Sequence, residues 1–277
     1  TTRLVGSEMC IRDSIIAVVF VISELVCVAC VPERPVACDE KPGKISDMFK
    51  ALFKNDQAMT VVVSIILVYT SLNICGNLVL YFFRFDVGNE GAYSIFAAVA
   101  FAAQVLVMMV IPLLRKRFSK SQLFISGFII QIAGFAVILI MAFAKLYTPQ
   151  SWYILCLPGI LIYLGYGMLN VIMTIFLSDS VDYGEVMNGT REESVIFSMQ
   201  TFTVKLASGV AVFLAGLVVD WIHLDTAAAV QTQDTLDALR MWMTIPSVIL
   251  LIVGIFVFKR FYKLDDTRME EIKSKLN

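Results

Sequence analysis

Apolar runs long enough to cross a lipid bilayer recur along this chain, separated by short polar joints. They fall near residues 15–31, 58–83, 92–114, 121–144, 151–178, 196–220 and 241–261. An α-helix rises about 1.5 Å per residue, so about 20 apolar residues cover a hydrocarbon core about 30 Å thick. Backbone N–H and C=O groups find no water there, so only helices or a closed barrel can span it. These runs are continuous rather than alternating, which excludes the barrel. Composition agrees: 58% of residues are hydrophobic, 16% are charged and the mean hydropathy is +0.80. A net charge of −1 with no basic patch among aromatics excludes nucleic acid as a partner. The expected fold class is an all-α membrane protein.

Basic residues orient the spans. The joints at 32–57, 115–120 and 179–195 together with the tail carry sixteen Lys and Arg, against three (Arg84, Lys145, Arg240) on the opposite side. Positive-inside reasoning therefore puts the long joint and the C-terminus in the cytoplasm of a multi-pass protein of the cell (inner) membrane. The joint at 32–57 has three prolines, mixed charge and an amphipathic stretch (Ile45, Met48, Phe49, Leu52) suited to the membrane surface. It has the character of a linker between two halves. Residues 1–14 lack an initiating Met, and SEMCIRDS at 7–14 resembles translated adapter read-through. They are expected to be non-native and are set aside, with the true N-terminal part missing. Cys27 and Cys30 form a C-x-x-C inside an apolar run, remote from the single histidine, and read as buried helix residues.

One span carries a cation. In SMQTFTVKLASGVAVFLAGLVV (198–219), Lys205 sits about 12 residues beyond Glu193, roughly 18 Å deep, where a lone charge costs on the order of 2.5–3.5 kcal/mol. At 100° per residue it shares one helix face with Ser198, Thr201 and Ser208. Thr70, Asn73, Asn77 and Tyr81 align in the span 58–83, as do Tyr163, Gly167, Asn170 and Thr174 in 151–178. Ser, Thr and Asn also glue helices together. The lysine, however, needs water or a carboxylate, and Glu24 is the nearest candidate in the visible spans. A transport pathway accounts for this pattern.

A second group lies at the end of the fifth complete-looking run. Asp179, Asp182 and Glu185 sit at a helix C-terminus, the unfavourable end for anions, and need cations such as Arg191 or other basic residues of that face. They are expected to form charge pairs that make and break as a cytoplasmic gate closes and opens.

These residues carry a family resemblance. DYGEVMNGTREESVIFSMQTFTVKLASG (182–209) is similar to the signature of the glycoside–pentoside–hexuronide:cation symporters, the melibiose-permease branch of the major facilitator superfamily. KNDQ before the second span, YFFRFDVGN at its end, LLRKRFSKSQLF and RFYKLDD extend the likeness over residues 15–277. The resemblance implies a twelve-helix transporter of two halves that rock around a central sugar site. On that basis the chain holds the remnant of the sixth helix (15–31), a central linker (32–57), a six-helix C-terminal half (58–261) and a tail (262–277). The positions matching Thr201 and Lys205 would line the sugar pocket. Gln200 is carried over with them although it lies off the stripe. Asn73, Asn77 and Asn170 would add hydrogen bonds, and Asn170 stands where the melibiose permeases carry an aromatic residue. The resemblance implies no cofactor and no metal site in this half. The coupling cation (Na+ or H+) would bind in the missing N-terminal half, alongside a sugar or glycoside substrate and the bilayer as the other partners. The rivals are a transporter of a non-sugar solute, a dimerising half-transporter or scaffold, and a membrane enzyme. The last lacks a mid-membrane histidine or carboxylate cluster, so no enzyme activity is expected.

Overall fold

The computed structural model describes residues 2–30, 53–189, 191, 193–228 and 230–276. The amphipathic stretch expected between Ile45 and Leu52 lies outside them. The chain divides into two compact units, residues 1–43 and 44–277. In the first, helix α1 runs from Thr2 to Cys30 without a break, through the residues set aside above. Cys27 and Cys30 are exposed on it and carry free thiols.

The second unit contains six helices long and apolar enough to span a membrane. Helix α2 (Asp56–Tyr81) ends in a π-helical turn, Phe82–Asp86. Then come α3 (Ala92–Leu114), α4 (Lys120–Phe143), and α5 (Cys156–Asn188) entered through a 3-10 turn at Trp152–Leu155. Helices α6 (Glu193–Trp221) and α7 (Gln233–Phe261) follow, and then a short amphipathic α8 (Asp266–Leu276). No strand occurs among the described residues.

The termini follow from local chemistry. Asn55 caps α2 by accepting from the Ala58 N–H, and its own amide donates to the Ser180 carbonyl on α5 at 2.8 Å. Ser119 and Gln122 form a reciprocal capping box on α4. Gly189 ends α5 at φ +74°, a left-handed conformation that favours glycine.

Helices α2 and α5 are the two inner helices. α5 packs on α4 and α3, while α2 packs on α7 and α6, and α2 and α5 also touch each other. Close approach of α4 and α5 depends on glycine: a Cβ on Gly165 would lie 2.6 Å from the Gln131 nitrogen and the Gly127 oxygen. Helix α6 turns Ala207, Ala211 and Ala215 inward. Phe124, Phe128, Phe176, Phe258 and Tyr262 form an aromatic cluster with neighbouring ring centroids 4.4–5.2 Å apart. Large apolar side chains also cover the outside, with Met109 70% and Phe213 66% exposed, as lipid rather than water requires.

Each end of the unit is tied by a buried ion pair. At the end where α2 finishes, the Asp86 carboxylate accepts from Arg240 Nε at 2.8 Å and Nη2 at 2.5 Å, and both side chains are 3% exposed. The Tyr147 hydroxyl donates to the same carboxylate. Burial and then this hydrogen bond push the Tyr147 phenol up, so it donates as a neutral group. The π-helical turn carries Asp86 round to this position. At the opposite, more basic end, Lys120 pairs with Asp179, both side chains being buried, and its Nζ lies 3.4 Å from Asp266 at the start of α8.

Candidate functional site

Polar side chains from α2, α5 and α6 meet about halfway along the bundle. Asn170 Nδ2 on α5 donates to Tyr69 Oη on α2 at 2.6 Å. The Ser208 hydroxyl on α6 donates to Asn73 Oδ1 on α2, and Gln200 Nε2 on α6 donates to Thr174 Oγ1 on α5, both at 3.4 Å. The three contacts link α2 to α6, α2 to α5, and α5 to α6. Asn73 and Asn77 also use their amides on their own helix, donating to the carbonyls of Tyr69 and Asn73 at 2.7 Å.

Lys205 and Thr201 are exposed on α6, roughly 160° round the helix from the buried Ala207 in the case of the lysine. Lys205 has no ion pair or hydrogen bond among the described residues, whereas Thr201 donates to the Phe197 carbonyl at 3.4 Å. The structure thus gathers Asn73, Asn170 and Gln200 into one network. Asn77 adjoins it on α2, and Lys205 and Thr201 stand on the α6 face that includes Ser208.

Several placements differ from the periodicity alone. Thr70, aligned with the α2 stripe by spacing, is buried and its hydroxyl has no partner. Tyr69 takes its place. The two flank Asn73 by about 60° and 40° on opposite sides, and α7 packs on the threonine side, where Ser71 and Ser247 exchange side-chain-to-carbonyl hydrogen bonds. Gly167 faces α3, where a Cβ would meet Val107 at 2.6 Å. Gln200, off the α6 stripe, is turned about 100° from Thr201 and so reaches α5.

The charged group at the basic end divides in two. Arg191 reaches Glu185 at 2.8 Å, Asp182 at 3.2 Å and Glu193 at 3.2 Å. Its hydrogen bond to Glu185 is the leading cause that raises the Arg191 pKa. Asp179 does not join them. It lies about 60° round α5 from Asp182 and faces Lys120 on α4 instead. Tyr262 lies beside this pair with its hydroxyl buried and unpartnered. Burial, and after it the Asp179 and Asp266 charges, push the Tyr262 phenol up.

Sequence reasoning passed over Tyr69, Lys120 as the partner of Asp179, and the Asp86–Arg240 pair. Lys120 and Arg240 entered only as topology charges. A neutral Tyr flanking an Asn stripe carries no spacing signal of its own. Among the described residues, no group of three or more His, Cys, Asp or Glu is placed to hold a metal ion.

Six spanning helices with a polar surface at mid-depth define a polytopic membrane protein whose interior contacts hydrophilic groups. The sequence pattern of the family described as MFS/sugar transport protein matches residues 6–266, and the chain belongs to that family. It is similar to an uncharacterized symporter, YjmB, of Bacillus subtilis strain 168: 25% identical over 233 residues, covering 84% of this chain and 49% of that protein. It is also similar to the raffinose carrier protein of Pediococcus pentosaceus, at 23% over 234 residues, covering 84% of this chain and 35% of the carrier. With the isoprimeverose transporter of Lactiplantibacillus pentosus it shares 24% over 254 residues, 91% of this chain and 51% of that one. The chain therefore spans about half the length, or less, of these relatives.

Proposed function

We propose that this chain is the C-terminal half of a symporter that moves a sugar or glycoside across the cell (inner) membrane together with Na+ or H+, by alternating access. The observation that carries the proposal is the mid-depth polar surface. Amides and hydroxyls from α2, α5 and α6 meet there, beside a lysine that has no counter-charge among the described residues. Sugars are read by such hydroxyl and amide groups, and a lysine at this depth needs water, substrate or a carboxylate from a second half. Membership of a sugar-transport family and relatives named for raffinose and isoprimeverose support the substrate class.

On this reading Lys205, Thr201, Gln200, Asn170, Asn73 and Asn77 face the sugar. The coupling cation binds in the N-terminal half, and no bond of the substrate is made or broken, so the protein is not an enzyme. Asp182, Glu185 and Arg191 act as the cytoplasmic gate, since exposed ion pairs near a helix end are weak enough to exchange partners. Asp179 belongs to the same face through Lys120. The excess of basic residues at this end supports a cytoplasmic C-terminus. The test is uptake of labelled sugars by cells carrying the intact transporter with Lys205→Ala. Uptake should drop at least tenfold while the amount of protein in the membrane is unchanged. Normal uptake would sink the role.

A further inference from the structure

We propose that Tyr69 is a substrate-binding residue and that, together with Asn170, it forms the hydroxyl-reading pair that sets which polyol this surface accepts. The inference rests on the sugar-transport reading above and adds to it a residue that the polar stripes do not predict.

Two of the three links between helices at this level, Ser208 to Asn73 and Gln200 to Thr174, are 3.4 Å long, near the limit for a hydrogen bond. The third, Asn170 to Tyr69, is 2.6 Å. The flanking side chains can give up their contacts to a ligand at little cost, whereas the Tyr69–Asn170 pair is held in one geometry. A held geometry is what selectivity needs, because a preorganised polar pair left unmatched by the wrong ligand is costly.

The orientation of the pair follows from its surroundings. Asn170 directs its amide nitrogen at the Tyr69 hydroxyl, and Tyr166 lies one turn before it on the same helix. The Tyr69 and Tyr166 rings meet edge to face, with centroids 5.5 Å apart. Tyr166 is buried, so it serves as the inner brace. Tyr69 and Asn170 are both half-buried and remain within reach of the polar surface. With the amide nitrogen donating to the Tyr69 hydroxyl, no hydrogen bond among the described residues reaches Asn170 Oδ1. The pair therefore offers a carbonyl acceptor next to a phenolic hydroxyl. Neighbouring hydroxyls of a sugar fit that combination, one donating to the carbonyl and the other exchanging with the phenol. A ligand lacking one of the two hydroxyls leaves a polar group unmatched.

A packing role for Tyr69 makes a different prediction, and Tyr69→Phe separates the two. The substitution keeps the ring and its edge-to-face contact and removes only the hydroxyl. The experiment measures uptake by the intact transporter, first across a panel of labelled sugars to find one that the wild type carries, then against its single-deoxy analogues. The expected result for Tyr69→Phe is a KM about tenfold higher, with maximal velocity within twofold and the preference for the parent sugar over one deoxy analogue largely lost. Asn170→Ala should do the same, and the double variant should be no worse than the poorer single. An unchanged KM and an unchanged deoxy preference in Tyr69→Phe overturn the proposal. If Tyr69→Phe is lost from the membrane, Asn170→Ala decides by the same two readouts. A wild type that carries no sugar in the panel refutes the transport reading instead, so the two failures are told apart.

Discussion

Replacing Arg240 by methionine should cost this protein about 3–5 kcal/mol of stability. The Asp86 carboxylate takes two charge-assisted hydrogen bonds from Arg240, and its side chain is 3% exposed. Without the guanidinium, the Tyr147 hydroxyl is its remaining donor among the described residues, and the carboxylate must stay charged in an apolar site or take up a proton. Taking up a proton limits the cost. Breaking a buried pair by removing one partner costs about 3–5 kcal/mol, because the remaining charge has lost its counter-charge. Asp86→Leu should cost less, because Arg240 keeps Asp237 at 2.7 Å on the half-exposed side. Combining Asp86→Leu with Arg240→Met should recover most of the loss, since it leaves no lone buried charge. The assay is thermal unfolding of the detergent-solubilised protein at pH 7. Four kcal/mol corresponds to roughly 8–16 °C for a unit of this size. A deficit under 1 kcal/mol, or a double variant that costs the sum of the singles, would refute the reasoning.

Two further outcomes are expected. Gly165→Ala should destabilise by about 1–3 kcal/mol, because its methyl would meet the α4 backbone at 2.6 Å, and the loss should show as a lower midpoint in the same melt. Tyr262→Phe should be neutral or stabilising by up to about 1 kcal/mol, since it removes a buried hydroxyl with no partner. Its phenol is raised in the folded state, so wild-type stability should hold below about pH 10 and fall above it, and Tyr262→Phe should lessen that fall. A clear loss of stability in Tyr262→Phe at pH 7 would show that the hydroxyl is bonded after all.

Spacing made some parts of the site legible. Asn73, Asn77, Asn170, Thr201 and Lys205 stand out because a polar group every three or four residues in an apolar run marks one face of a helix. The same spacing could not choose between Tyr69 and Thr70, which flank Asn73 on opposite sides. Packing of α7 against α2 made that choice by burying the threonine. Nor could it show that Gln200 reaches α5, because a wheel describes one helix and the contact belongs to two.

The sequence by itself determined that the chain is helical with six spanning helices after its first segment, where α2, α3, α4 and α6 begin and end to within three residues, and which end is basic, whereas α5 runs ten residues past the expected 178 and α7 begins eight residues before the expected 241. Those properties depend on hydrophobic length, capping residues and charge counts, all of which act within a few turns of chain. Only the tertiary structure decided the partners. Asp179 turned from Arg191 to Lys120, 59 residues away in the chain. Arg240, counted among the surface charges, was drawn into a buried pair with Asp86, 154 residues away. In an apolar interior a charge must find its counter-charge wherever neighbouring helices bring one, and sequence distance carries no record of that meeting.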